Sequence, residues 1–272
     1  MTTGKKTPVI FCRCSNTESF SAQKRILFEA MLKDTDTDCL ILDDLCQASA
    51  EKEKTLAEFI FSHPDAAVAA CHPRAVRCLL LYAKIPESAL DSLSYFSFRD
   101  MTIIQLASAL NIKIPEKIKT EIDRADKPGP GRQKMNTGAK NSHKDTIKKF
   151  LTERDKALKE PASANRRAWF PVIDYSKCTH CGACLDFCLF GVYSKTDDGK
   201  ITVTAPFNCK DNCPACARIC PHNAIIFPKY NNPPFNGDLS ETASEKRNLR
   251  KPLFALSGDE LYQALKNRRK NT

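Results

Sequence analysis

The chain has 272 residues, of which 42% are hydrophobic and 8% aromatic, which suffices for one large or two ordinary domains and excludes full disorder. Of the net charge of +10, residues 113–170 and 229–272 carry +8 and +4, whereas residues 1–112 and 171–228 carry −2 and zero. The regions that resemble globular domains are nearly neutral, so nucleic acid is an unlikely partner for them. No apolar run reaches the roughly 18 residues of a membrane span, and the N-terminus lacks a secretory h-region, so we expect a cytoplasmic location.

Residues 8–112 alternate between strand and helix patterns. Short apolar runs predict strands at 9–11, 40–42, 66–70 and 93–98. Helical spacing of apolar residues predicts intervening helices at 21–31, 51–61, 75–84 and 101–110. Strict alternation implies a parallel sheet with helices on both faces. We therefore predict a small, doubly wound α/β domain of the flavodoxin-like or Rossmann-like kind over residues 1–113.

The basic segments lie after this domain and at the end of the chain. Residues 114–168 read as a basic linker, flexible around the Pro- and Gly-rich stretch at 127–132, with an amphipathic helix at 143–158. Residues 231–272 read as a basic tail with a terminal helix at 259–269. We expect residues 169–230, between them, to form a second globular domain.

Fourteen cysteines in a chain that is not expected to be exported indicate cluster or metal ligation, or redox chemistry, rather than a disulfide framework. Eight of them form two runs, Cys178-x2-Cys181-x2-Cys184-x3-Cys188 and Cys209-x3-Cys213-x2-Cys216-x3-Cys220-Pro221. Zinc sites use isolated cysteine pairs with longer spacers, so they fit these runs poorly. The string at 209–216 is also similar to the radical-SAM triplet, but only 56 residues follow Cys216, too few for the barrel of that family.

These runs and their flanking strand patterns resemble a bacterial-type ferredoxin domain with two 4Fe-4S clusters, an α+β fold. In that pattern the fourth cysteine of each run ligates the other cluster. The resemblance implies one cluster on Cys178, Cys181, Cys184 and Cys220, and a second on Cys209, Cys213, Cys216 and Cys188. The sequence departs from the pattern at Leu189, where proline is usual, and in the three residues that separate Cys209 from Cys213.

Four further cysteines follow three of the predicted strands in the first domain. They stand in Phe11-Cys12-Arg13-Cys14, Asp44-Leu45-Cys46 and Ala70-Cys71-His72-Pro73-Arg74. Parallel sheets bind ligands at the carboxyl ends of their strands, so these cysteines are expected to converge. The pattern is similar to the N-terminal domain of the A-type subunit of heterodisulfide reductase, which implies a third 4Fe-4S cluster on Cys12, Cys14, Cys46 and Cys71. The residues alone leave free thiols, a thiol/disulfide site or another metal site open. Cys39 and Cys78 read as core residues.

We expect an electron-transfer protein or subunit, because clusters in one small domain pass single electrons and need no acid–base residue from the protein. No G-x-G-x-x-G run is present, so we expect the chain to bind no flavin or nicotinamide. We therefore expect its partners to be redox proteins in a larger oxidoreductase complex of an anaerobic cell. The alternative is a cluster-containing oxidoreductase acting on a disulfide or small substrate at the N-terminal cysteines. Nucleic-acid binding through residues 127–149 ranks lowest, because that basic stretch lacks interleaved aromatic residues.

Overall fold

The structure is a computed structural model, and it describes residues 7–14, 21–35, 37–125 and 168–239. The helices expected at 143–158 and 259–269 lie outside these residues. Among the residues that the structure describes, none of the helices combines the length and the apolarity of a membrane span.

A four-stranded parallel sheet forms the centre of the first domain, as the alternating pattern predicts. Its strands are β1 (Val9–Cys12), β2 (Cys39–Leu42), β3 (Ala67–Ala70) and β4 (Ser94–Ser97). They lie in the order β2-β1-β3-β4, and every pair is parallel. All residues of β1 and β3 are buried, so both faces of the central strands are covered. The strand order changes direction between β1 and β3, and sheets of this type bind ligands outside the carboxyl ends of the strands at such a point.

Helices connect these strands, and they are more numerous than the sequence pattern indicates. They are α1 (Ala22–Lys33), α2 (Leu45–Glu51), α3 (Lys54–Ser62), α4 (Pro73–Tyr82), α5 (Glu87–Leu90), α6 (Ile103–Ala109) and α7 (Glu116–Ala125). The helix expected at 51–61 is α3, which begins three residues later than predicted because Lys52 adopts a left-handed conformation that ends the preceding helix, α2, which the pattern did not predict. Helix α7 packs on α1 and fully buries Ile122, so the segment predicted as a linker begins with a helix that contacts the first domain.

Three phenylalanine rings form the centre of the core beside β1. Phe11 of β1 contacts Phe28 of α1 and Phe98 after β4, with ring centroids 4.9 and 5.0 Å apart, and none of the three is exposed. Such tilted pairs add roughly 0.5–1.5 kcal/mol beyond their buried area. This packing fixes the strand ends from which the first-domain cysteines emerge.

The second domain is built as two similar halves with an offset of 32 residues. Strand β5 (Val172–Ile173) pairs antiparallel with β8 (Ile225–Ile226), and β6 (Tyr193–Lys195) pairs antiparallel with β7 (Ile201–Val203). The short helices are α8 (Ala183–Phe187) and α9 (Ala215–Ile219). Each helix is capped at its C-terminus by a cysteine, Cys188 or Cys220, and a residue with positive φ follows three positions later.

The two domains share one continuous apolar core, with polar links across the seam. Tyr82 packs on Phe170, with ring centroids 5.1 Å apart. Arg74, in the first turn of α4, donates to the Asp174 carboxylate at 2.6 Å and to the Asn223 carbonyl at 2.6 Å. The cysteine-bearing ends of the first domain therefore face the ferredoxin-like domain.

Candidate iron–sulfur cluster sites

The first cysteine run lines an open cavity of about 310 Å³. The cysteines at its wall are Cys178, Cys181, Cys184 and Cys220. Three of them come from the first run, and Cys220 comes from the end of α9 in the other half of the domain. The fold therefore brings together the four cysteines that the ferredoxin resemblance assigns to one cluster.

The second run is joined by a cysteine from the first in the same way. Cys209 interacts electrostatically with Cys216, Cys213 and Cys188. Cys216 interacts in turn with Cys188 and Cys213. Cys188 caps α8, so the two helices exchange their final cysteines between the two halves.

A residue in the left-handed conformation precedes the second cysteine of each run. His180 before Cys181 has φ 55°, and Asn212 before Cys213 has φ 59°. The extra residue of the second run lies upstream of this point, where the Cys213 amide donates to the Lys210 carbonyl at 3.2 Å and closes a turn. The two loops therefore present their second cysteines with the same local backbone despite their different lengths.

Burial makes these thiols poor acids as long as no cation is near them. Burial and the neighbouring thiols raise the pKa of Cys184 to about 12. Burial also raises the pKa of Cys216 to about 12, although a hydrogen bond from Tyr193 acts in the opposite direction. Thiolates at these positions need the positive charge of iron, so binding of iron should release protons.

Tyr193 is a polar contact to sulfur that no cysteine spacing indicates. It is 4% exposed at the start of β6, and its hydroxyl donates to Cys216 Sγ at 3.1 Å. Burial and the nearby Cys216 sulfur raise the pKa of Tyr193 well above its ordinary value, so the hydroxyl keeps its proton. Tyr193 also interacts electrostatically with Cys184 of the first set and Cys209 of the second.

The four N-terminal cysteines predicted to converge lie together at the carboxyl ends of β1, β2 and β3. Cys12, Cys14, Cys46 and Cys71 are 1–5% exposed. The thiols of Cys71 and Cys14 are hydrogen-bonded, and this bond is the largest of the effects that raise the pKa of Cys71. Cys46 interacts with both Cys14 and Cys12. Cys39 lies at the opposite end of β2, and Cys78 lies inside α4, so neither joins this group.

Backbone and side-chain donors hold this N-terminal site. The Leu45 amide donates to Cys12 Sγ at 3.2 Å. Arg25 Nη1 donates to the Cys14 carbonyl at 2.9 Å, and Cys14 has φ 58°, which non-glycine residues seldom adopt. Backbone outliers of this kind cluster at functional sites, where surrounding contacts hold them.

A buried lysine from the second domain lies beside the same cysteines. Lys229 Nζ bonds to the Asp44 carboxylate, and the two side chains are 5% and 9% exposed. Burial alone would lower the pKa of Lys229, but Cys46 and Asp44 outweigh it and raise this pKa. Lys229 therefore stays charged next to the thiols.

The chemistry of the donors fits clusters. In the described part of the chain, no three His, Cys, Asp or Glu side chains are placed to hold a single metal ion. A 4Fe-4S cluster sets a different requirement, since each of its thiolates binds a different iron and the sulfurs lie farther apart. Each of the three groups offers four cysteine sulfurs and has at least one hydrogen-bond donor to sulfur, which is the donor set that a 4Fe-4S cluster takes.

Comparison with known proteins agrees for the second domain. Residues 170–221 match the family described as the 4Fe-4S dicluster domain. Over 58 residues the chain is 39% identical to an uncharacterised ferredoxin of Methanocaldococcus jannaschii, and the match covers 21% of the chain and 74% of the relative. The chain belongs to the ferredoxin family. A second uncharacterised ferredoxin of that organism is 47% identical to the chain over 62 residues. The match covers 22% of the chain and only 42% of that relative.

Proposed function

We propose that this ferredoxin relays single electrons between redox partner proteins through 4Fe-4S clusters held by two exchanged sets of cysteines. The first set is Cys178, Cys181, Cys184 and Cys220, and the second is Cys188, Cys209, Cys213 and Cys216. The observation that carries the proposal is the exchange of Cys188 and Cys220 between the two runs, which leaves four thiols at each site. Each cluster, when bound, accepts and releases one electron.

The arrangement of the chain suits passage of an electron between the two sets. Cys216 of the second set interacts with Cys184 of the first. Tyr193, almost fully buried, bonds to Cys216 Sγ, so the second set is shielded from solvent at this point. Cys181 is exposed, so the first site also has an edge that a partner protein can approach.

The first domain is proposed to hold a third 4Fe-4S cluster on Cys12, Cys14, Cys46 and Cys71, as its resemblance to the heterodisulfide reductase domain implies. The convergence of these cysteines at the switch point of the sheet supports this assignment. Arg74, three residues after Cys71, bonds to Asp174, and the Asp174 carbonyl accepts from the Cys178 amide at 3.0 Å. This short path favours an electron route from the third site to the first ferredoxin site.

A larger oxidoreductase complex in an anaerobic, cytoplasmic setting is the proposed context, and the partners are proposed to supply any flavin or nicotinamide. The alternative, reduction of a disulfide or small substrate at the N-terminal cysteines, gains no support from the geometry. All four are buried, so none of these thiols is presented to a substrate.

Substitution of single cysteine ligands by serine tests the proposal. Replacing Cys188 with Ser should disturb the cluster of the second run although Cys188 belongs to the first, and Cys220→Ser should disturb the cluster of the first run. In EPR-monitored titrations of anaerobic protein, Cys188→Ser should alter the signal of one ferredoxin cluster, and Cys220→Ser should alter the signal of the other. If both variants alter the same signal, or if the unaltered protein accepts no electrons at low potential, the proposal is wrong.

A further inference from the structure

We propose that Lys229 of the ferredoxin domain completes the N-terminal four-cysteine site, so that the third cluster is held by both domains together. This inference rests on the proposed third cluster. It names Lys229 as a positioning residue, because it acts on the candidate ligands through the turn at residues 44–47, here called the Cys46 turn.

Two acceptors bind the Lys229 ammonium. The residue follows β8, at the end of the ferredoxin domain, and its ammonium donates to the Asp44 carboxylate and to the Ala168 carbonyl, the latter at 2.6 Å. A buried ammonium needs such partners, because removing its charge from water is costly unless the charge is paired. The lysine is therefore fixed on the Cys46 turn instead of extending into solvent.

Asp44 links Lys229 to the start of α2. Asp44 caps α2, and its Oδ1 accepts from the amides of Cys46 and Gln47 at 2.9 and 3.3 Å. The intervening Leu45 amide donates to Cys12 Sγ. Holding Asp44 thus holds one candidate ligand, Cys46, and the donor to another, Cys12.

Both ends of the ferredoxin domain meet at this turn. The Ala168 amide donates to Gln47 Oε1 at 3.0 Å, while the Ala168 carbonyl accepts from Lys229. Residues 168 and 229 lie at opposite ends of the segment that carries the two ferredoxin runs. Contacts from both ends of the ferredoxin domain therefore hold the Cys46 turn.

Lys229 also acts on the site through its charge. Four thiolates around a cluster leave a net negative site, and Asp44 adds a further negative charge next to Cys12 and Cys46. Lys229 acts on the same site with the opposite sign, through its interactions with Cys46 and Cys14. Its charge should stabilise the bound cluster, and the reduced form more than the oxidised form.

Two variants test this role on the full chain, with iron content and EPR-monitored midpoint potentials as readouts. Lys229→Met removes both the bonds and the charge, and we expect about eight irons per chain in place of about twelve, with both ferredoxin signals retained. Lys229→Gln keeps donors to Asp44 and Ala168 without the charge, and we expect the midpoint of the third cluster alone to fall. Lys200→Met is the matched control, because Lys200 pairs with Asp198 at an exposed turn of the same domain.

The outcomes separate the two proposals. About eight irons in the unaltered protein would overturn the third cluster, and with it this inference. About twelve irons in both the unaltered protein and Lys229→Met, with an unchanged third midpoint, would overturn the role of Lys229 and leave the cluster standing. If Lys229→Met does not fold, an unchanged third midpoint in Lys229→Gln would overturn that role on its own.

Discussion

Replacing Tyr193 with Phe should lower the midpoint potential of one cluster, the one assigned to the second run. The substitution removes a single hydroxyl that donates to Cys216 Sγ at 3.1 Å and keeps the buried ring. The added electron makes the sulfurs more negative, so reduction strengthens the bond, and the net value of a whole typical hydrogen bond, about 0.5–1.5 kcal/mol, is the upper bound on that gain. One tenfold change in a one-electron equilibrium is about 59 mV, or about 1.4 kcal/mol, so the midpoint should fall by at most about 20–60 mV.

The assay is an EPR-monitored redox titration of anaerobic protein, which follows each cluster by its own signal. Tyr95→Phe is the matched control, because the Tyr95 hydroxyl donates to the Leu90 carbonyl, a backbone group in the first domain. The signal that moves in Tyr193→Phe should be the one that Cys188→Ser disturbs. Equal midpoints in Tyr193→Phe and the unaltered protein, or a rise in place of a fall, would refute the reasoning from the hydrogen bond.

Two further predictions concern the seam between the domains, both measured as the apparent melting temperature of anaerobic protein by circular dichroism. Arg74→Met should lower the free energy of unfolding by about 3 kcal/mol, because it leaves the largely buried Asp174 carboxylate without its charged partner. Arg77→Met, one turn later on α4, should lower it by under about 1 kcal/mol, because the acidic partners of Arg77 are exposed. Equal losses would contradict this account of the seam. Gly237→Ala should lower the melting temperature more than Gly191→Ala. Both glycines have positive φ, but a Cβ at 237 would lie 3.2 Å from α4, whereas one at 191 meets open space. A larger loss in Gly191→Ala would show that crowding at 237 is relieved.

The parallel sheet was predictable because its signals are local. The run Val9-Ile10-Phe11 and its counterparts read directly as buried strands, and the cysteines that follow them meet at one edge because parallel strands end on the same side. The predicted strand at 66–70 also proved right, although it contains four alanines, which favour strands little. Pairing with β1 on one side and β4 on the other outweighs that weak propensity.

Helices α2, α5 and α7 were missed because their stabilisation is tertiary or depends on a cap. Helix α2 has seven residues and depends on the Asp44 cap, and α7 is strongly charged and lies in a sequence that reads as linker. The packing of Ile122 against the first domain decides the second case, and no local pattern encodes that contact.

At the cluster sites, spacing identified the cysteines but not the residues that adjust them. Tyr193 and Lys229 stand 23 and 183 positions from Cys216 and Cys46, the cysteines they act on. Nothing in the spacing of the cysteines points to either residue, because only the fold brings Tyr193 to sulfur and Lys229 to the Cys46 turn. The seam that carries Arg74 could not be predicted either, since it depends on how two separately recognisable domains pack.

The most direct measurement is the content of iron and acid-labile sulfide per chain in anaerobically purified protein, with Cys46→Ala beside it and Cys39→Ala as a control outside the N-terminal cysteine group. The account predicts about twelve irons in the unaltered protein and in Cys39→Ala, and about eight in Cys46→Ala. About eight irons in all three would contradict the three-cluster relay, and fewer than eight in the unaltered protein would contradict the two ferredoxin sites themselves.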